Sequence, residues 1–517
     1  MSEKWHTSEE PDIPPPVTMF RPARPPGPQL IAMESYSALE LFQLYLSPSV
    51  CQTIIKNSNA YAEKNQDAAR KPWQNMSVKD LYSYLSVVIY MGLVKVPALT
   101  DYWNGSRLYR IGFPASVISG RKFQAISAAL HLSDPKKDAE NMKKKGTPAY
   151  DRLGKLKPVY QQIRDACKTF FHPHQNIAVD ERMVASKARI GLKQYMKEKP
   201  TKWGYKLFVL ADSTYGYTWD FFIYEGKSPV AQADQTRGHS YESVMALVDE
   251  KILGTGYKLY VDNFYTSPSL FRDLLQKGIW ACGTIRSNRV GFPQATDNRL
   301  PRNAPRGSMR CIRKDKLLFV EWKDTREVLM CSSFHSANGD RTVQRRMRTR
   351  SGEWTELTVP IPAAVADYNK NMGGVDLSDA LIGYYTVLRN TRKWYRALFY
   401  HFIDIAVVNA FIIHQQMALA RNQKPKTQKE FREALVLELA DWNDPATSAR
   451  QITGGPLGNA CHRPKFITEI GDDSRRRCRV CHQKTLVICQ ACNAYLCFQA
   501  TRDCFNPWHD EHNFTKM

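Results

Sequence analysis

Acidic residues are in short supply. In 517 residues, 50 Asp and Glu stand against 73 Lys and Arg, a net charge of +23. That imbalance excludes an acidic solvating protein and points to a polyanionic partner, because each phosphate met by Lys or Arg releases condensed counterions. Long hydrophobic runs are also missing. The best, FIDIAVVNAFII (402–413), carries Asp404 and Asn409 and falls short of the roughly 20 apolar residues a bilayer crossing needs. No membrane partner is expected. The opening residues, MSEKWHTSEE, lack the basic-then-apolar pattern of an export leader. No internal repeat is present. Cysteine is sparse over most of the chain: Cys51, Cys167, Cys282, Cys311 and Cys331 stand singly, while the other seven of 12 fall between Cys461 and Cys504. A reducing compartment is expected, and clustered thiols there suggest metal rather than disulfides.

What is there falls into blocks. Eight prolines between Pro11 and Pro28 predict that residues 1–34 form an extended, disordered, Pro-rich tail. Apolar residues then recur at three- and four-residue spacing, so 35–175 reads as all-helical. After Pro173 come short runs rich in Val, Tyr, Phe and Ile: NIAVDERMV, YKLFVLAD, YTWDFFIY and KLYVDNFY. TSPSLFRDLLQKG is a helix with Ser267 as cap, Pro268 in its first turn and Gly278 as its stop. The order is mixed α/β over 176–290. Residues 291–362 are irregular, with β-like stretches and an arginine cluster from Arg341 to Arg350, and read as an insertion. Helical patterning returns, a linker covers 446–473, and 474–517 is a Cys/His module.

That module reads Cys478-x-x-Cys481, Cys489-x-x-Cys492, Cys497, Cys504, His509 and His512. Eight soft or borderline ligands suit two tetrahedral Zn²⁺ sites. A cross-brace would put Cys478, Cys481, Cys497 and Cys504 on one ion and Cys489, Cys492, His509 and His512 on the other. His482 and His462 are alternative ligands, so the partition stays open. The string Cys478-Arg-Val-Cys481-His482 also matches a c-type haem attachment, but the second CxxC and the missing leader favour zinc. Arg475, Arg476, Arg477 and Arg479 at its entry favour DNA over protein as the module's partner.

Three aspartates stand out. Asp180 interrupts an apolar-alternating strand, where a carboxylate is costly unless paired or metal-bound. Asp262 closes a strand, at the end where α/β sheets place ligands. Asp376 follows Gly373-Gly374 and opens a helix that carries Asp379 three residues on. Asp212 also ends a strand, but its setting reads as turn chemistry. Carboxylates on separate elements, brought to one cleft, are what two Mg²⁺ ions need for phosphoryl transfer. Strand interior, strand end, then helix start is the layout of ribonuclease H-like nucleases and transposases.

IAVDERMVASKAR with YMKEKPTKWGYKLFVLAD, LYVDNFYTSPSLFRDLL, and YNKNMGGVDLSDALIGYY with RNTRKWYRALFYHFIDIAVVNAFI resemble the piggyBac transposase family over roughly 35–440, plus the terminal module. The resemblance implies an α/β RNase H-like catalytic core (176–290 and 363–382) with an insertion domain (291–362). It implies a split all-helical DNA-binding and dimerisation domain (35–175 and 383–445) and a C-terminal zinc-binding cross-brace module. The family's catalytic aspartates fall on Asp180, Asp262 and Asp376, with a further functional one on Asp379. The implied activity is cut-and-paste excision at terminal inverted repeats and integration at TTAA, by a nuclear homodimer acting on double-stranded DNA. Lys202, Lys206, Arg341, Arg345, Arg346, Arg389, Arg392, Lys393 and Arg396 are candidate DNA contacts. The alternative is a domesticated, non-catalytic DNA- or chromatin-binding protein that keeps this fold.

Overall fold

The computed structural model describes residues 4–7, 10–16, 18–65, 72–108, 110–226, 238–337, 341–348, 352–389, 391, 393–442, 464–467, 475–489, 494–499 and 501–511. Its centre is a nine-stranded mixed sheet. The strands, in chain order, are β1 (Asn176–Ala185), β2 (Lys193–Tyr195), β3 (Trp203–Asp212), β4 (Thr218–Ile223), β5 (Lys258–Val261), β6 (Trp280–Thr284), β7 (Met309–Lys314), β8 (Leu317–Lys323) and β9 (Glu327–Ser332). They line up as β7-β8-β9-β6-β5-β1-β3-β2, with β4 also on β3. β1, β5 and β6 run parallel, and the flanking pairs are antiparallel. Strands in the middle are nearly continuous apolar runs because both faces are covered; β3 is buried from Gly204 to Asp212 except at Lys206. The helix after β5, Pro268–Gln276, is capped by Ser267, which accepts from the Leu270 N–H, and Gly278 beyond it takes φ +70°. Both features match the sequence reading.

Helices α1 (Ala38–Gln43), α2 (Pro48–Lys64), α3 (Val78–Leu93), α4 (Gly120–Ala129) and α5 (Lys157–Thr169) precede the sheet. Four larger ones follow it, α6 (Ala363–Asn371), α7 (Gly374–Tyr384), α8 (Trp394–Ala420) and α9 (Gln428–Ala440), before the short terminal helix Phe505–Glu511. Capping boxes start α1, α3 and α9, through Ser37/Glu40, Ser77/Asp80 and Thr427/Glu430. The early and late helices interlock, α3 against α9 and α1 against α8. α8 is long and apolar enough to cross a membrane, yet its apolar stretch is wholly buried inside the protein. Its Asp404 accepts from the Val387 N–H and the Thr386 hydroxyl and lies in the field of buried Arg432.

Two expectations change. The Pro-rich head, predicted to be a disordered tail, is a strap in its described residues. Trp5 is fully buried and donates to the Ala295 carbonyl at 2.9 Å. Asp12 forms a two-pronged pair with Arg313 at 2.6 and 2.7 Å. Arg21–Pro22 and Gly27–Pro28 add short antiparallel pairings, and Glu34 meets Arg479 of the terminal module at 2.6 Å. Proline keeps the segment extended, but a few long-range anchors fix it, and composition does not display those. The second change concerns 291–362. β7, β8 and β9 extend the central sheet, β9 pairing with β6 from Cys282↔Ser332 to Thr284↔Met330, so they do not form a separate body. Among the described residues of this segment, the strands β10 (Thr342–Arg348) and β11 (Trp354–Pro360) leave it, as a two-stranded ribbon.

Candidate active site

β1 and β5 are parallel neighbours, joined from Asn176↔Lys258 to Val179↔Val261. That offset, 82 residues, is also the spacing from Asp180 to Asp262, so the two aspartates come next in the register. Residues abreast on adjacent strands project from the same face. Glu181 joins them: one carboxylate oxygen from each of Asp180, Glu181 and Asp262 lies within 4.8 Å of the others.

Three acids this close oppose one another's ionisation. Burial first, then the hydrogen bond with Glu181 and the Glu181 charge, push the Asp180 carboxyl up to about 7, against the pull of Lys199. Burial and Glu181 raise Asp262 as well. Burial also acts to raise Glu181, but its hydrogen bond with Asp180 and the charges of Lys206 and Lys199 outweigh this and hold it low. Lys199 Nζ lies 3.3 Å from Asp180 Oδ2 and donates to the Glu181 carbonyl at 3.0 Å. Lys206 Nζ donates to Glu181 Oε1 at 3.0 Å.

Asp376 lies exposed in the first turn of α7, outside the three-acid group. Its charge still reaches Lys199: burial works against that ammonium, but Asp180, Glu181 and Asp376 together hold its pKa up. Asp379, one turn on, is engaged differently. Arg182, fully buried in β1, pairs with it and donates to the Thr218 hydroxyl at 3.3 Å. Thr218 meets Ser378 at 2.9 Å. These contacts dock α7 on β1 and β4. Asp212 is turn chemistry, as expected: its Oδ1 accepts from the backbone of Thr214 and Tyr215, both at 2.9 Å.

The donor set fits a divalent cation. Carboxylate oxygens are the hard ligands Mg²⁺ takes, and burial, with the Glu181 charge behind it, raises both Asp180 and Asp262, a penalty that a bound cation would offset. The buried Tyr265 hydroxyl faces Glu181 without a well-formed hydrogen bond. Glu181, Lys199 and Arg182 were not singled out in the sequence. The signal for two of them was present: three charges in a row, Asp180-Glu181-Arg182, inside an otherwise apolar strand. Lys199 is one of many lysines, and nothing in its neighbourhood marks it.

At the other end of the chain, sulfur atoms of Cys478, Cys481, Cys497 and Cys504 all lie within 4.8 Å of one another, Cys481 and Cys497 at 3.6 Å. Tetrahedral zinc–thiolate geometry needs sulfurs about 3.8 Å apart, so this set fits zinc. Cys489 and His509 are buried nearby in sequence but outside this group. Cys492 and His512 lie outside the described residues, as does Arg392.

The candidate DNA contacts divide. Lys202 is exposed, and Arg346 is exposed with no ion pair among the described residues. Lys206 is committed to Glu181, Arg341 to Asp367 at 2.7 Å and Arg345 to Asp324 at 3.3 Å. Arg389 lies over the Phe123 ring, and Lys393 donates to the Tyr61 hydroxyl at 2.8 Å beside a cavity of about 290 Å³ also lined by Trp394 and Arg189. Arg396 is a correction: it is buried and donates to the carbonyls of Ala128 and Leu130 at 2.7 and 2.9 Å, which ends α4 rather than meeting DNA.

The sequence profile of the family described as Transposase IS4 matches residues 37–411. The chain belongs to the piggyBac transposase family. Human PiggyBac transposable element-derived protein 3 is 24% identical over 88% of this chain and 74% of its own length. Human PiggyBac transposable element-derived protein 2 is 25% identical over 87% of this chain and 73% of its own. Among solved structures, the piggyBac transposase synaptic complex with hairpin DNA shares the fold, with a TM-score of 0.69 and 21% identity over 89% of this chain and 97% of that one.

Proposed function

We propose that this piggyBac family member is a metal-dependent DNA transposase that excises DNA at terminal inverted repeats and joins it at TTAA. The observation that carries this is the meeting of Asp180 and Asp262 with Glu181 on adjacent parallel strands. With the short β2 set aside, these are the first and fourth strands of the sheet, the delivery expected of an RNase H-like core. In this reading Asp180, Asp262 and Asp376 hold two Mg²⁺ ions, with Glu181 as an additional acid. Bound there, Mg²⁺ supplies charge stabilisation to the phosphoryl group under attack. Lys199 keeps a positive charge against Asp180 and at the mouth of the acid group, where a phosphate oxygen can meet it. Lys206 holds Glu181 in place. Asp379 anchors α7 through Arg182 and so positions Asp376. The thiols of Cys478, Cys481, Cys497 and Cys504 hold one Zn²⁺, and the remaining Cys and His ligands a second. DNA as partner is supported by the net charge and by the DNA complex formed by the structural relative. A nuclear homodimer completes the reading.

The test is an excision assay with matching transposon ends, together with Mn²⁺ binding by calorimetry. The expected result is excision by the wild type and none by Asp262→Ala, with Mn²⁺ affinity lowered at least about 10-fold. The second reading, a DNA-binding protein that no longer transposes, is favoured by the relatives described as transposable element-derived proteins. It holds if neither chain excises while both bind the ends.

A further inference from the structure

The ribbon β10–β11 is the part of the 291–362 segment that leaves the central sheet. Its register pairs Thr342 with Pro360 and continues to Arg348 with Trp354. Alternation sorts its side chains onto two faces. Val343, Arg345, Leu357 and Val359 share the inner face. Val359 is 1% exposed, the apolar side chains pack on the cluster around Trp322, and Arg345 pairs with Asp324. The Trp322 indole donates to the Pro360 carbonyl at 2.9 Å, and the Ile361 N–H to the Arg341 carbonyl at 2.9 Å, so the base of the ribbon is fixed.

The outer face is different. Gln344, Arg346, Arg348, Trp354, Glu356 and Thr358 are all exposed, Trp354 at 70%. Arg348 Nε donates to the Gly352 carbonyl at 3.0 Å, and neither Arg346 nor Arg348 has an ion pair among the described residues. The arginine cluster is therefore split by structure. Arg341 and Arg345 are spent on internal carboxylates, while Arg346 and Arg348 project side by side with an aromatic ring.

We propose that this outer face is a duplex-DNA contact separate from the carboxylate site, with the ribbon lying in the major groove and Arg346 and Arg348 on the phosphates that border it. Strands of this length span about 24 Å at roughly 3.4 Å per residue, and a major groove about 12 Å wide admits a two-stranded ribbon. Two cations without an ion pair among the described residues, against the single carboxylate of Glu356 opposite Arg346, complement that surface on a chain of net charge +23. A protein partner suits the face poorly, because Trp354 is its one apolar group and a stable interface needs on the order of 1,000 Å² with an apolar centre. The inference rests on the DNA reading above and adds where the duplex is held.

The test uses the full chain and a duplex of about 30 base pairs, with affinity followed by fluorescence anisotropy from roughly 50 to 200 mM KCl. Each phosphate contact contributes about 0.9 to the slope of log affinity against log salt. Arg346→Ala/Arg348→Ala should weaken binding about 10-fold or more at low salt and flatten the slope by about 1.8. Arg346→Lys/Arg348→Lys should restore the slope, and it guards against a folding defect. Trp354→Ala should weaken binding with the slope unchanged. If the wild type binds and the alanine pair binds equally well with the same slope, the ribbon proposal falls and the DNA reading stands. If the wild type itself does not bind the duplex, both fall.

Discussion

Asp180 titrates in the folded chain near pH 7, whereas an unfolded aspartate does so near 3.9. Between those values the folded state, free of metal, binds more protons than the unfolded one. The contribution of this group to stability therefore falls as pH rises through that window. In a chelating buffer, Asp180→Asn should gain thermal stability relative to the wild type between pH 5 and pH 8. An unchanged gap would show that Asp180 is not confined among the acids as described. Sequence alone singled out Asp180 and Asp262, because a carboxylate in an apolar strand and one at a strand end are locally visible. It did not yield Glu181 and Lys199 as partners. Their roles arise from strand register and from a loop folding back on β1, and neither leaves a local mark.

Among elements, α7 depends on an ion pair with one partner fully buried. Asp379→Ala would strand the Arg182 guanidinium in the interior; a fully buried pair loses about 3–5 kcal/mol this way, and the partly exposed Asp379 places this loss at the low end. Adding Arg182→Met should recover part of that in urea unfolding. Strictly additive losses would mean that the two side chains do not act together. Amide exchange across Gly374–Tyr384 should accelerate in the single variant. The helix itself was readable from Gly373-Gly374 and the spacing that follows. Its anchor was not, since Asp379 looked equally suited to metal. Arg396 shows the same limit: in sequence it belongs to a basic, aromatic stretch, and only packing reveals that it closes the end of α4.

Across the whole molecule, the N-terminal strap and the terminal module are held by few, distant contacts. Replacing buried Trp5 by alanine removes a large apolar anchor, and such changes cost about 3–5 kcal/mol when the site stays packed. Here the expected effect is local release. His6 bridges Cys311 on β7, so Trp5→Ala should make Cys311 reactive to a thiol reagent, read site by site by mass spectrometry, while buried Cys331 stays protected. No gain at Cys311 would mean that the strap holds without Trp5. Removing metal with a strong chelator should raise exchange across Cys478–Cys504 and leave the nine-stranded sheet intact, because the small module has little apolar core of its own. The central strands were legible from their alternation and turn residues. The strap and the added sheet edge were not: the strap is decided by partners some 290 residues away, and the edge by Ser332 pairing with Cys282, 50 residues back, neither of which leaves a local mark.

The two aspartates meet through strand pairing, not through closeness along the chain. Homologous genes should therefore accept length changes between Ile223 and Gly238, ahead of the buried residues that begin at Tyr241, without disturbing that pairing. A single codon gained or lost within Lys258–Val261 would instead turn Asp262 to the far side of the sheet. Length polymorphism across the lineage should thus stop before that short strand.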